Sequence, residues 1–194
     1  LLAVSGSIAA YKSAFLVRLL VKEGADVRVV LSDAAISFVT PLTLGTLSKN
    51  PVVTSFVDDD NGTWNNHVEL GLWADAMIIA PATAKTLSGM ANGYCENLLL
   101  ACYLSAKCPV FFAPAMDLDM FKHPSTTENI SKLVSIGNTL IPAGKGELAS
   151  GLEGEGRMAE PEEIIVQMQE YFKSLSNGKR VVITAGPTFE QIDP

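Results

Sequence analysis

Apolar residues in this chain gather into short unbroken runs, divided by longer stretches in which apolar positions recur with a helical period. Residues 1–4, 77–80 and 110–113 are apolar throughout, and 27–31 is interrupted only by Arg28. Such runs read as strands buried on both faces of a parallel sheet. Residues 8–23 predict a helix that buries Phe15, Leu16, Leu19 and Leu20, with Gly24 as its stop. Ser32 and Asp33 can cap a helix through Phe38, and Thr40-Pro41 opens another with proline at its first position. Residues 52–57 read as a strand, followed by a polar loop to residue 66. Helices are expected over 86–91, 96–106, 125–135 and 162–175, with a last strand at 139–142. Strand and helix signals thus alternate about every 25 to 35 residues, the rhythm of crossover connections. The expected fold class is α/β, a doubly wound parallel sheet in a single domain over residues 1–175.

Two of the runs break off in the same way. One meets Pro81, Ala82, Thr83 and Ala84, the other Pro114, Ala115, Met116 and Asp117. Proline has no N–H, so it belongs where a ladder stops, here at a carboxyl edge. Open α/β sheets bind ligands at that edge, and alanines there let a flat ring approach the backbone. A planar cofactor site is expected; the competing reading is a plain strand exit. Between the first strand and first helix, Gly6 and Ser7 offer backbone N–H groups, a hydroxyl and the positive end of a helix dipole to a phosphate. The loop is not Gly-x-Gly-x-x-Gly, since Ala9 takes the last position, and no Gly-x-x-x-x-Gly-Lys-Ser/Thr occurs. Asp33 could mimic the ribose-binding acid of a dinucleotide site, but a mononucleotide such as FMN fits better.

Composition narrows the function classes. The chain has 194 residues, 48% of them hydrophobic, enough for one substantial core. Its longest apolar stretch, residues 98–104, is far short of the roughly 20 needed to span a membrane. A net charge of −7 argues against a nucleic-acid partner. Cys95, Cys102 and Cys108 match neither a disulfide framework nor a Cys-x-x-Cys metal site, so a reducing cytoplasm is expected. Cys95 and Cys102 should share one helix face as small buried hydrophobes. His67 and His123 are the only histidines, too few for a histidine-rich metal centre, and His123 before Pro124 should be exposed. Residues 144–156 hold five glycines and read as a mobile flap.

Five motifs, in order, carry a family resemblance. Ser5-Gly6-Ser7-Ile8-Ala9-Ala10-Tyr11-Lys12, His67-Val68-Glu69-Leu70 with Trp73-Ala74-Asp75, Pro81-Ala82-Thr83-Ala84-Lys85-Thr86, Pro114-Ala115-Met116-Asp117 and Gly156-Arg157-Met158 resemble the flavin-dependent cysteine decarboxylases. More narrowly, they resemble those acting on 4′-phosphopantothenoylcysteine. Residues 179–194 resemble the opening of the phosphopantothenate–cysteine ligase domain that follows in bacterial bifunctional proteins, which implies that 176–194 are a linker and the truncated start of a second domain.

The resemblance implies a Rossmann-like cytoplasmic flavoprotein that converts 4′-phosphopantothenoylcysteine to 4′-phosphopantetheine in coenzyme A synthesis. It implies FMN held by Gly6, Ser7, Ser32, Phe38, Pro81, Ala82, Thr83, Ala84 and Ala115. It further implies a homo-oligomer, a trimer or a multiple of trimers, with sites at subunit contacts. His67 matches the active-site histidine, a side-chain type suited to proton transfer near neutrality; position alone would make it a loop residue capping a helix. Substrate would meet Asp117, Arg157 and Met158. Three positions depart from the pattern: Asp117 stands for Asn, Ser150 for a Cys that would act as the final acid, and Lys85 for Asn. An ionised Asp117 would repel the substrate carboxylate, so either it is protonated or Arg157 and backbone donors share that task. With Ser150 a poor acid, Glu153 or a water is the substitute donor. A non-catalytic flavin-binding subunit, a peptide-cysteine decarboxylase and a flavin prenyltransferase are the alternatives.

Overall fold

The computed structural model describes residues 1–57 and 62–175. Six strands form one parallel sheet: β1 (Leu2–Val4), β2 (Val29–Leu31), β3 (Val52–Val53), β4 (Met77–Ala82), β5 (Val110–Pro114) and β6 (Thr139–Leu140). Their order is β3-β2-β1-β4-β5-β6. The connections run outward from β1 on one side and from β4 on the other, so the order reverses between these two neighbours.

Alternation along each strand sorts the core into two layers. Leu2, Val4, Val29, Leu31, Ile78 and Phe111 face one side. There they meet α1 (Lys12–Lys22), α2 (Pro41–Ser48) and α8 (Pro161–Leu175) through Leu16, Leu44 and Ile164. Ala3, Val30, Met77, Ile79 and Phe112 face the other, against α3 (His67–Trp73), α4 (Ala84–Asn92), α5 (Leu98–Ser105) and α7 (Pro124–Ser135). The fold class is therefore as expected. No described helix is long and apolar enough to cross a membrane.

Element bounds follow local chemistry that the hydrophobic period does not see. The first turn, Ile8–Tyr11, is a 3-10 helix whose opening Ala9 N–H is capped by Ser7 Oγ, so α1 starts only at Lys12. Thr40 caps Thr43 N–H and starts α2 as read. The strand expected over 52–57 stops at Val53. Beyond it Ser55 and Phe56 turn their carbonyls to Asn65 instead, Phe56 O accepting its N–H and Ser55 O its Nδ2. Asn97 caps α5 through Leu100 N–H, which leaves Cys95 outside the helix and exposed. The shared face expected for Cys95 and Cys102 is thus not formed; Cys102 alone is buried, its thiol pushed up to about 12 by desolvation.

Both apolar runs continue further than proline's missing N–H suggests, β4 past Pro81 to Ala82 and β5 onto Pro114 itself. Pro81 lies at a register shift between Ile79 and Ala82, and Ala82 pairs with Pro114. A proline at an irregularity loses no ladder bond, and its carbonyl still accepts: Pro81 O takes Ser5 N–H at 3.3 Å. The glycine-rich stretch is an antiparallel hairpin, β7 (Gly144–Glu147) with β8 (Glu153–Arg157). Gly156 docks it to the sheet edge. Its φ is +142°, a Cβ there would lie 2.4 Å from Met116 O, and its own carbonyl accepts Met116 N–H at 3.0 Å.

Candidate functional site

The carboxyl ends of β1, β2, β4 and β5 open onto a crevice of about 380 Å3. Ser5, Gly6 and Ser7 leave β1, Ser32 leaves β2, Thr83 and Ala84 leave β4, and Ala115 leaves β5; all line it. Three of these residues are committed to the fold. Ser5, 1% exposed, donates from Oγ to Pro81 O at 2.7 Å and accepts Thr83 N–H at 3.0 Å, tying the β1 and β4 exits together. Thr83 Oγ1 caps α4 through Thr86 N–H. Gly6 is glycine because Ala34 presses on it: a Cβ would come within 2.5 Å of Ala34 Cβ and 2.8 Å of its carbonyl carbon.

Ser32 is the exception. It occupies the capping position of the 3-10 turn Asp33–Ser37 but makes no capping bond, and its buried Oγ has no partner among the described residues. A buried hydroxyl left without an acceptor or donor is costly, so one lining a cavity fits a ligand that supplies the missing bond. Small residues, backbone groups and this hydroxyl suit a flat, phosphorylated cofactor. Of the other predicted contacts, Pro81 and Ala82 are buried in β4 beneath the crevice, while Phe38 is 45% exposed and lies outside its lining. Lys85 does line it, paired with Glu96 at 3.0 Å, a contact the sequence reading missed.

A second hollow, about 430 Å3, adjoins the first and shares Ser7, Ala115 and Met116 with it. Its chemistry is charged. Asp117, Arg157 and Met158 line it together with Lys12 and Glu147. Asp117 caps the short helix α6 (Leu118–Lys122) through Leu118 N–H at 2.6 Å. Arg157 reaches Glu160 at 3.2 Å. Glu160 in turn accepts from the Lys12 ammonium, whose hydrogen bond holds the Glu160 carboxyl below the usual carboxylate range. Ser150 sits exposed at the hairpin turn, accepting Leu152 N–H at 3.4 Å, and does not line the hollow. Nor does Glu153. It is exposed and paired across the hairpin with Glu147, which is exposed too but lines the hollow.

His67 lines neither hollow. It is the first residue of α3, and the capping of Val68 and Glu69 N–H falls to Asn66 Oδ1. The imidazole lies edge-on to Phe56 and Trp64, at 5.9 and 6.0 Å, with a buried Nδ1 that has no partner among the described residues. His123 is exposed and caps α7 through Ser125 N–H. Among the described residues no group of three His, Cys, Asp or Glu side chains could hold a metal ion.

Comparison with known proteins agrees with this architecture. A "Cysteine/Cysteine sulfinic acid decarboxylase" from an unknown prokaryotic organism is 57% identical over 162 residues, 80% of this chain and 45% of that protein. The "Coenzyme A biosynthesis bifunctional protein CoaBC" of Bacillus subtilis is 42% identical over 198 residues, 100% of this chain and 49% of that protein. The chain thus spans about half the length of these curated relatives. Among solved structures, a mutant PPC decarboxylase complexed with pantothenoylaminoethenethiol superposes with a TM-score of 0.78 at 37% identity, covering 89% of this chain and 96% of that one. "The FMN binding protein AtHal3" follows at 0.75 and 36%, covering 89% and 95%. The Flavoprotein family model matches residues 1–173, and with a crevice of that chemistry at the sheet's switch point, this chain belongs to the Flavoprotein family.

Proposed function

We propose that this chain binds FMN and decarboxylates 4′-phosphopantothenoylcysteine to 4′-phosphopantetheine, a step of coenzyme A synthesis. One observation carries the reading: a small-residue crevice with the unpartnered Ser32 hydroxyl opens directly into a charged hollow bearing Asp117 and Arg157. Relatives over the whole chain are coenzyme A bifunctional proteins, and a solved neighbour is a PPC decarboxylase holding an enethiol.

The residues divide the work. Gly6, Ser7, Ser32, Thr83, Ala84 and Ala115 would hold the flavin, which when bound supplies a reversible two-electron acceptor. A cysteine carboxylate needs one. Direct CO2 loss leaves an unstabilised carbanion, whereas a thiol oxidised to a thioaldehyde places C=S at the β position. Arg157 balances the carboxylate until it leaves. His67 takes a proton during thiol oxidation, and Glu147 returns one as the enethiol is reduced to the thiol by the two electrons taken up in that oxidation.

In a single chain His67 lies outside both hollows, which supports a homo-oligomer, a trimer or a multiple of trimers, in which one copy brings its α3 to another's site. Exposed Ile8 and Tyr11 in the 3-10 turn and Phe15 in α1, and Trp64, Val68 and Leu72 around His67, are apolar surface for that contact. A cytoplasmic setting fits the free thiols.

A second reading concerns substrate. The 57% identical relative is described as acting on cysteine or cysteine sulfinic acid, and two carboxylates, Asp117 and Glu147, line the hollow where a free ammonium would sit. Reconstitution with FMN followed by CO2 assay on phosphopantothenoylcysteine, cysteine and cysteine sulfinate separates the readings. Uptake of FMN with CO2 from the first substrate is the expected result, and a colourless protein that takes up no FMN would sink both.

A further inference from the structure

Lys12 opens α1 and is only 3% exposed, yet it lines the charged hollow. A buried ammonium must find acceptors for its three N–H groups. Two have them: Nζ donates to Met158 O at 2.9 Å and to Glu160 Oε1 at 2.8 Å. The third has no protein acceptor among the described residues. Glu160 Oε1 also accepts from Arg157 at 3.2 Å, so two cations share one carboxylate and the trio carries a net positive charge. Elsewhere on the hollow the ionisable carboxyls of Asp117 and Glu147 disfavour an anion.

We propose that Lys12, with Arg157 beside it, binds the substrate carboxylate that the reaction removes. The inference rests on the decarboxylase reading and deepens it. Proximity selects the carboxylate over a substrate phosphate, because this hollow meets the flavin crevice along Ser7, Ala115 and Met116, where the reacting carbon must lie. It also explains how a site with aspartate at position 117 can retain a carboxylate. The attraction comes from the α1 side, where Glu160, just before α8, joins Lys12 to Arg157 at the end of β8.

The test uses FMN-loaded protein titrated with 3-mercaptopropionate, with its methyl ester and with inorganic phosphate, followed by flavin absorbance. The wild type should bind the acid about tenfold or more tighter than the ester, the size expected for charge-assisted hydrogen bonds. Lys12→Met should cut that preference about threefold or more, Arg157 holding the remainder, while leaving ester affinity unchanged, and Lys12→Arg should keep most of it. Glu160 keeps Arg157 as its partner in Lys12→Met, so the substitution strands no carboxylate. An acid preference undiminished in Lys12→Met, absence of any preference in the wild type, or weakening toward phosphate alone would each overturn the assignment. FMN uptake is scored separately. Loaded variants that keep the preference overturn this inference only, and a wild type that takes up no FMN overturns the flavin reading and the inference with it.

Discussion

The two adjoining hollows share a wall and almost nothing else. The crevice at the β1, β2, β4 and β5 exits is lined by small residues and hydroxyls, with charge confined to Asp33 and the Lys85–Glu96 pair; its neighbour presents Lys12, Asp117, Glu147 and Arg157. The first is framed by strand ends locked through Ser5, Pro81 and Thr83. The second is closed by a hairpin held at Gly156 and bordered by the Lys12–Glu160 pair, of which only Lys12 is buried. Backbone amides and hydroxyls held by a buried sheet suit a ligand that stays. Charges carried by the hairpin, by α1 and by the β5 exit suit a charged ligand that enters and leaves.

His67 belongs to neither hollow, so it tests whether the two suffice. His67→Asn should leave FMN bound yet cut turnover by about 10²- to 10⁴-fold, as loss of general acid–base help does. Normal steady-state turnover would remove His67 from the mechanism.

Within the charged hollow, Asp117→Asn should raise the ratio of kcat/KM for phosphopantothenoylcysteine over that for free cysteine by about 10- to 100-fold, since it removes repulsion toward an anion and a partner for an ammonium. An unchanged ratio would show that Asp117 serves only as the cap of α6.

On the cofactor side, Ser32→Ala should weaken FMN binding about fivefold, the value of one neutral hydrogen bond of about 1 kcal/mol. Equal or tighter binding in a fluorescence titration would mean the ligand ignores the free hydroxyl. The smallest effect belongs to Ser150. Being exposed at the hairpin tip, Ser150→Ala should alter flavin reoxidation by no more than about twofold, the scale of a surface change near 0.5 kcal/mol. A long-lived reduced flavin on rapid mixing would restore Ser150 as the acid.

Much of the fold was legible in the chain because it rests on local rules. Unbroken runs marked β1, β4 and β5, Thr40-Pro41 marked α2, and repeated proline exits marked the sheet edge where the crevice opens. Gly6, Ser7, Ser32, Thr83, Ala84 and Ala115 were named for the cofactor and do meet; Phe38 was named and does not. Glycine content suggested looseness for residues 144–156, but a paired hairpin forms there, since glycine also permits close docking against Met116 and Leu118.

The sequence by itself determined which segments become strands, where they end and which residue types stand at those ends, since periodicity, capping and proline chemistry act over a few residues. Only the tertiary structure decided which of these groups remain free. It consumed the hydroxyls of Ser5 and Thr83 and spared that of Ser32, chose Glu147 over Glu153, and joined Lys12 to Glu160 across 148 positions. Each outcome depends on partners brought together by strand order, and a side chain's availability is set by those partners rather than by its neighbours in the chain.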